Sequence, residues 1–581
     1  MTGAVAAGQA TSKTTISPTA WLGLLLASTL LIYYRTIHYP FFFDDWAGIV
    51  FNPRIQDWRE IPGYFTKHLW YHTTGEFRAT YYRPLYLGWF FLNYQMFGIN
   101  PAGWRIAVLL VHCCNVLLVF KIAKQWLEHE RAALIAAAVF ALHPVHIESM
   151  GWISAGGEPV AACALLLALL ALVRWLDTRS TRWLLASSGL YLVALFLKES
   201  TAVFPLFVFA FIFVKSAGTF RERIWSATKP AAYFIPPAVI YLLLRAHALH
   251  GGNVHPRVDD LTAILTVPSV LWFYLQHLLL PIHLTFFNSL AYVTKIYPAA
   301  FLLPTFAIAV AALLVVRSPK QIQLAFAWLL TFLLLPTFGI WIFGDSMLVQ
   351  DRYLYLPAVG FALIVAYTWS AIVARHPDWS RLASIIAIAL LASYAAGSFA
   401  QSSQWRNEEA LYARGLEIHP RSVVPESGMA VIHMQNGEYA QAESMLRSLH
   451  AENPADTEIE WKLGMALYLQ KRYGEAIPIW QHVIANSAVS SFHDSFLARA
   501  YFDSGEFARG IALMNQALAV TPEDTGLRLE LADRYLKHGD SRAAIEQYKA
   551  VLASHPDEKI LASYIARLEA TAAPSKAPSA H

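Results

Sequence analysis

Charge is scarce in this chain and cysteine scarcer. Of 581 residues, 14% are Asp, Glu, Lys or Arg and 56% are hydrophobic, too apolar a balance for a soluble protein of this length. The net charge of +4 is spread over many loops, so no basic patch is available to a nucleic acid, and none is expected as a partner. The three cysteines, Cys113, Cys114 and Cys163, all lie in apolar runs, where thiols pack as small hydrophobes. They suggest neither a disulfide framework nor a zinc site. No clear small-residue cleavage site follows the first apolar stretch, and Arg35 comes directly after it, so the N-terminus reads as a retained anchor rather than a cleaved signal.

What the chain has in abundance is long apolar runs, such as Trp21 to Tyr33 and Phe301 to Val316, which make it a multi-span membrane protein. Lys and Arg stay on the cytoplasmic side. The basic loops around Lys121 to Arg131, Arg174 to Arg182, Lys215 to Lys229, Arg317 to Lys320 and Arg375 to Arg381 therefore fix the parity. Eleven spans satisfy it: 19–37, 105–123, 131–146, 157–174, 183–198, 200–215, 230–247, 298–316, 321–343, 354–374 and 382–400. Two further apolar segments, 81–97 and 264–280, are read as interfacial or re-entrant helices on the outer face, because counting either alone as a crossing inverts every later basic loop.

Composition changes sharply near Ser402, and the tail repeats. Ala442, Ala476, Gly510 and Ala544 are 34 residues apart, each five residues after the first position of a turn at Gly437, Lys471, Gly505 and Gly539. Ala430, Gly464, Ala498 and Ala532 keep the same period, as do Pro454, Ala488, Pro522 and Pro556. Small residues where two helices cross, with a closing proline, mark tetratricopeptide repeats. The fold class is thus all-α: a polytopic helical membrane bundle over 1–400 with an outer loop at 38–104, a linker over 401–422, four repeats over 423–558 and a flexible tail over 559–581. Eleven spans put the repeats outside.

The same parity collects the unusual ionisable groups on the outer face: Asp44 and Asp45 within YPFFFDDWAGIV, Arg83, the cluster His143, His146 and Glu148, then Glu158, Lys198 with Glu199, and Asp351 with Arg352. Charges at membrane depth are costly and mark function by default. The bland reading is ion pairing that pins helices, strongest for the adjacent pairs Lys198 with Glu199 and Asp351 with Arg352. Carboxylates and cations at a lipid–water boundary suit a substrate with a lipid tail and an anionic head: carboxylates can take a proton or bind a divalent cation, and Arg and Lys can hold phosphate.

The stretches FFFDDWAGIVFNPRI, YYRPLYLGWFFLNY, ALHPVHIESMGWISAGGE, FLKESTAVFPL and QDRYLYLPAVGFAL, in this order and followed by the repeats, resemble C-fold glycosyltransferases that use polyprenyl-phosphate sugars. The resemblance is strongest to the transmembrane and tetratricopeptide-repeat family of O-mannosyltransferases. It implies a catalytic carboxylate in the first outer loop, Asp44 or Asp45, and a second acidic position, matched by Glu148 and next by Glu158. It implies a membrane enzyme moving a sugar, mannose by family, from a polyprenyl-phosphate donor to an acceptor hydroxyl, with protein Ser or Thr as acceptor and the repeats presenting it. Donor-binding candidates are Arg83, His143, His146, Glu158, Lys198 and Arg352. If a divalent cation takes part, magnesium or manganese, Asp44 or Asp45 would hold it, and the second acidic position would help place the donor or that metal. Where relatives carry a basic residue after the second acidic loop, this chain has Ser154 to Glu158 without one.

The competing readings are a noncatalytic scaffold, for which eleven spans with clustered acids are excessive, and a transporter, which would place charges at the midplane. The outer face is periplasm in a bacterium, which the compact loops and the lack of a retention signal favour, or endoplasmic-reticulum lumen in a eukaryote.

Overall fold

The computed structural model describes residues 17–71, 81–249, 258–341, 348–486 and 490–572. Among them there is no strand, and the chain divides into two compact units that adjoin in sequence at Ser422 and Val423.

The first unit is a multi-pass membrane bundle. Eight of its described helices are long and apolar enough to cross a bilayer, or ten when each of two bent pairs is one span. Two of the eleven expected spans fall short. Segment 183–198 is the 17-residue helix Thr181–Leu197, and 200–215 holds only the 12-residue helix Phe204–Lys215. An extended Lys198 and the short turn Glu199–Thr201 separate the two, at the boundary expected between them.

Segment 81–97 holds the 14-residue helix Pro84–Phe97, below span length. Segment 264–280 lies in the 20-residue helix Asp260–Leu279, which is long and apolar enough to cross. Both its ends bond to the connection that follows helix Lys320–Phe338: the Trp341 indole donates to Asp260 at 2.9 Å, and His277 lies 2.7 Å from Asp351.

Small residues set the packing. In helix Glu130–Leu142, Ala132, Ala133, Ala136, Ala137 and Ala141 are all fully buried, so helices Pro101–Leu127 and Pro357–Arg375 can approach closely. Gly360 does the same for its neighbour: a Cβ there would lie 2.4 Å from the Ala325 carbonyl oxygen. Pro144 ends helix Glu130–Leu142, because the residue before a proline is pushed to extended backbone, as His143 is (φ −66°, ψ 128°). The chain resumes as helix Ile147–Gly151 after a 46° bend, and that bend carries Glu148.

In the second unit, each 34-residue period folds as a helix pair: Val423–Gln435 with Tyr439–Glu452, Thr457–Leu469 with Tyr473–Asn486, Ser491–Asp503 with Phe507–Val520, and Thr525–Lys537 with Ser541–Ser554. Ala430, Ala442, Ala476, Ala498, Ala532 and Ala544 are fully buried where the helices cross. At Gly464 a Cβ would come within 2.3 Å of the Trp480 indole nitrogen. All four turn positions adopt positive φ: Gly437 (80°), Lys471 (62°), Gly505 (91°) and Gly539 (89°). Ala488 lies outside the described residues.

The stretch expected as a flexible tail is corrected in its first part. Helix Lys559–Ala572 packs Leu561, Ile565 and Leu568 against Ala544 and Tyr548 of the last pair. Apolar residues at that spacing share one helical face.

Candidate active site

The loop after the first helix turns its two aspartates in opposite directions. Asp45 is fully buried: one oxygen accepts from the Ser154 amide (2.8 Å) and hydroxyl (2.5 Å), the other from the Phe42 amide (3.1 Å). Burial pushes its carboxyl up to about 6, against the pull of those donors and of Arg105. It fastens the loop after the first helix to the turn Ile153–Gly156, which follows the helix carrying Glu148.

Asp44 opens into a cavity lined also by Arg83, Lys198, Arg352, Tyr81, Tyr353, Trp152 and Ser154, with an apolar wall of Leu69, Leu87 and Phe90. Protein surrounds that opening closely enough for burial to raise the Asp44 carboxyl, while Arg352 and Arg83 draw it back.

Each cavity cation is held from behind by a carboxylate. Arg83 donates to Glu199 through Nε (2.7 Å) and Nη2, a bidentate pair. Lys198 Nζ lies 2.8 Å from Glu158. Arg352 donates to Glu148 through Nη1 and through its backbone amide (3.1 Å). The cations line the cavity and Glu199, Glu158 and Glu148 do not, so positive groups face the space. Burial would raise the Glu199 carboxyl, but the charge and hydrogen bonds of Arg83 outweigh it and hold it at about 2.

The charges adjacent in sequence pair with distant partners rather than with each other. Lys198 turns to Glu158 and Glu199 to Arg83; Asp351 turns to His277 and Arg352 to Glu148. Lys198 is extended (φ −161°, ψ 133°), and extended backbone sends successive side chains to opposite sides.

His143 and His146, expected at the donor, are corrected: neither lines the cavity. The turn Pro144–His146 points both inward. The fully buried His143 ring bonds the Leu278 carbonyl at 2.9 Å, and His146 packs among the rings of Phe140, Tyr355 and His112. The sequence reading missed Tyr81, Tyr353 and Trp152 as cavity walls. The Arg352 guanidinium sits 5.2 Å from the Trp152 ring centre, and that of Arg83 sits 4.5 Å from Tyr81. The tyrosines flank the two arginines in sequence, which was their available signal.

A divalent cation does not fit these residues. Among the described residues no three His, Cys, Asp or Glu side chains converge. Asp45 spends both oxygens on protein donors, and Asp44 faces the charges of Arg83 and Arg352.

Comparison with known proteins matches residues 83–229 to the dolichyl-phosphate-mannose-protein mannosyltransferase family, and residues 428–487 and 501–568 to tetratricopeptide repeats. The first match contains Arg83, Glu148, Glu158, Lys198 and Glu199. A protein O-mannosyl-transferase of Caenorhabditis elegans is 23% identical over 439 residues, 72% of this chain and 61% of that one. Protein O-mannosyl-transferase TMTC1 of Homo sapiens is 25% identical over 469 residues, 70% of this chain and 52% of that one. The chain thus spans between half and two thirds of these relatives' lengths. The solved chain of ArnT from Cupriavidus metallidurans bound to undecaprenyl phosphate aligns at 15% identity with a TM-score of 0.39, covering 81% of this chain and 82% of that one, too loosely to carry weight. By domain content and by sequence over most of its length, this chain is similar to protein O-mannosyl-transferases that carry tetratricopeptide repeats, at 23–25% identity.

Proposed function

We propose that the cavity transfers a mannosyl group from a polyprenyl-phosphate donor to the hydroxyl of a protein Ser or Thr. The observation that carries this is the lining of one cavity: Asp44 is its carboxylate, and Arg83, Lys198 and Arg352 are its cations, each with its own counter-ion outside. Three forward-facing cations suit a phosphate, and a carboxylate of raised basicity among them suits a general base.

In the step this implies, Asp44 takes the proton of the acceptor hydroxyl as its oxygen bonds to the anomeric carbon. The bond from that carbon to the phosphate oxygen breaks, and the electron pair leaves on the lipid phosphate, where the cations meet the developing charge. One displacement inverts the anomeric configuration. The repeats would present the acceptor, and the cavity would open on the outer face of the membrane, periplasmic in a bacterium.

The test is transfer of labelled mannose by the full chain in vesicles, from polyprenyl-phosphate mannose and, separately, from a nucleotide-linked mannose. Transfer from the lipid donor alone, with an α-linked product from a β-linked donor, supports the proposal; transfer from the nucleotide donor alone overturns it.

A further inference from the structure

Arg352 reaches the cavity from the four-residue turn Asp351–Leu354, which is too short to hold its own geometry. It is gripped by the last turns of helix Asp260–Leu279. His277 Nδ1 lies 2.7 Å from Asp351 Oδ1, with the two side chains only 12% and 5% exposed. The Gln350 amide donates to the Tyr274 hydroxyl at 3.3 Å. The next residue, Leu278, is tied to the bundle through its carbonyl and the His143 ring at 2.9 Å. This is where His143 acts, away from the cavity.

The arrangement buries two carboxylates, Asp351 and Glu148, within electrostatic reach of each other, with the one guanidinium, Arg352, on Glu148. The charge of Asp351 acts on Glu148, so the two compete for a cation. A buried carboxylate left without a partner draws whatever cation can reach it. With His277 on Asp351, Arg352 stays with Glu148 and faces the cavity.

We propose that His277 is a positioning residue for the transfer reaction. By occupying Asp351, it keeps that carboxylate from pulling Arg352 off Glu148 and out of the cavity. This rests on the reading of the cavity as a phosphate-sugar site. His277 touches no reacting atom and acts only through Asp351 and the turn. Among the described residues, Asp351 also acts on Glu148 and Tyr274, and the His277 charge acts on His419.

The test is steady-state transfer from polyprenyl-phosphate mannose by the full chain carrying His277→Leu, Asp351→Asn or both. His277→Leu is expected to lower kcat/KM by about ten- to a hundredfold, as a displaced binding group does. Adding Asp351→Asn removes the competitor and is expected to restore kcat/KM to within about threefold of Asp351→Asn alone. His277→Gln, whose amide can still donate to Asp351, is expected to keep most of the activity and serves if the leucine variant fails to fold. A double variant as slow as His277→Leu or slower means that His277 is merely a clamp, and overturns the inference. If wild type does not use the lipid donor at all, the reading of the cavity fails and this inference falls with it. If wild type is active and rescue is absent, only the inference falls.

Discussion

The guanidinium of Arg83 is bonded through two nitrogens to the carboxylate of Glu199, 116 residues further along the chain. One partner opens helix Pro84–Phe97 and the other follows helix Thr181–Leu197, so the pair closes one side of the cavity. Glu199→Gln leaves the guanidinium half-paired in a part-buried site. Because the Glu199 carboxyl is held at about 2 in the folded protein and titrates near 4.3 unfolded, its contribution is fully present above about pH 4.3 and lost as pH falls towards 2. Thermal unfolding in detergent should show wild type ahead of Glu199→Gln by about 1–3 kcal/mol at pH 7, as for a hydrogen bond to a charged group, and the lead should shrink below about pH 4.3.

Asp45 has the opposite sign. Its folded carboxyl is raised to about 6, so ionising it costs stability: the folded state holds a proton that the unfolded chain has released above about pH 4. The lead of wild type over Asp45→Asn should therefore fall as pH rises from about 4 through about 6, then level off. The same unfolding measurement checks it.

In the repeats, Lys471 holds a left-handed backbone (φ 62°) where the other three turns use glycine. Left-handed backbone costs a residue with a Cβ about 1–2 kcal/mol, part of which glycine gives back in chain entropy. Lys471→Gly should raise the stability of the full chain's repeat unit by about 0.5–1 kcal/mol, read as a shift in its thermal transition. Gly464→Ala should lower it, since the new methyl would meet the Trp480 indole.

The side of the membrane is open to direct labelling. A single cysteine placed after Ala570 should react with a membrane-impermeant reagent added from the outer side of intact cells. Reaction only after access to the cytoplasm contradicts the proposed orientation.

How much of this was legible in the sequence varies with the kind of signal. The repeats were, because a 34-residue period of small residues maps directly onto buried helix crossings such as Ala442 and Ala476. The charged residues of the cavity were, because charge within apolar chain is costly wherever it occurs. Their partners were not. Lys198 and Glu199 are neighbours in sequence, yet extended backbone sends one to Glu158 and the other to Arg83. Nor could composition separate Asp44 from Asp45 or turn His143 and His146 inward, since those outcomes depend on Ser154 and Pro144 meeting distant chain. Span counting placed the break near Lys198 to Ser200, where the backbone does turn, but the helices on either side are shorter than full spans.

The central claim is that Asp44 is the base and Asp45 a fastener. The measurement is the single-turnover rate of mannose transfer from polyprenyl-phosphate mannose by Asp44→Asn and Asp45→Asn, each shown to be folded by its thermal transition. Loss of a general base should slow Asp44→Asn by about 10² to 10⁴. Asp45→Asn, less stable, should transfer far faster than Asp44→Asn at a temperature where both are folded. A wild-type rate in Asp44→Asn, or the larger loss in a folded Asp45→Asn, contradicts the account.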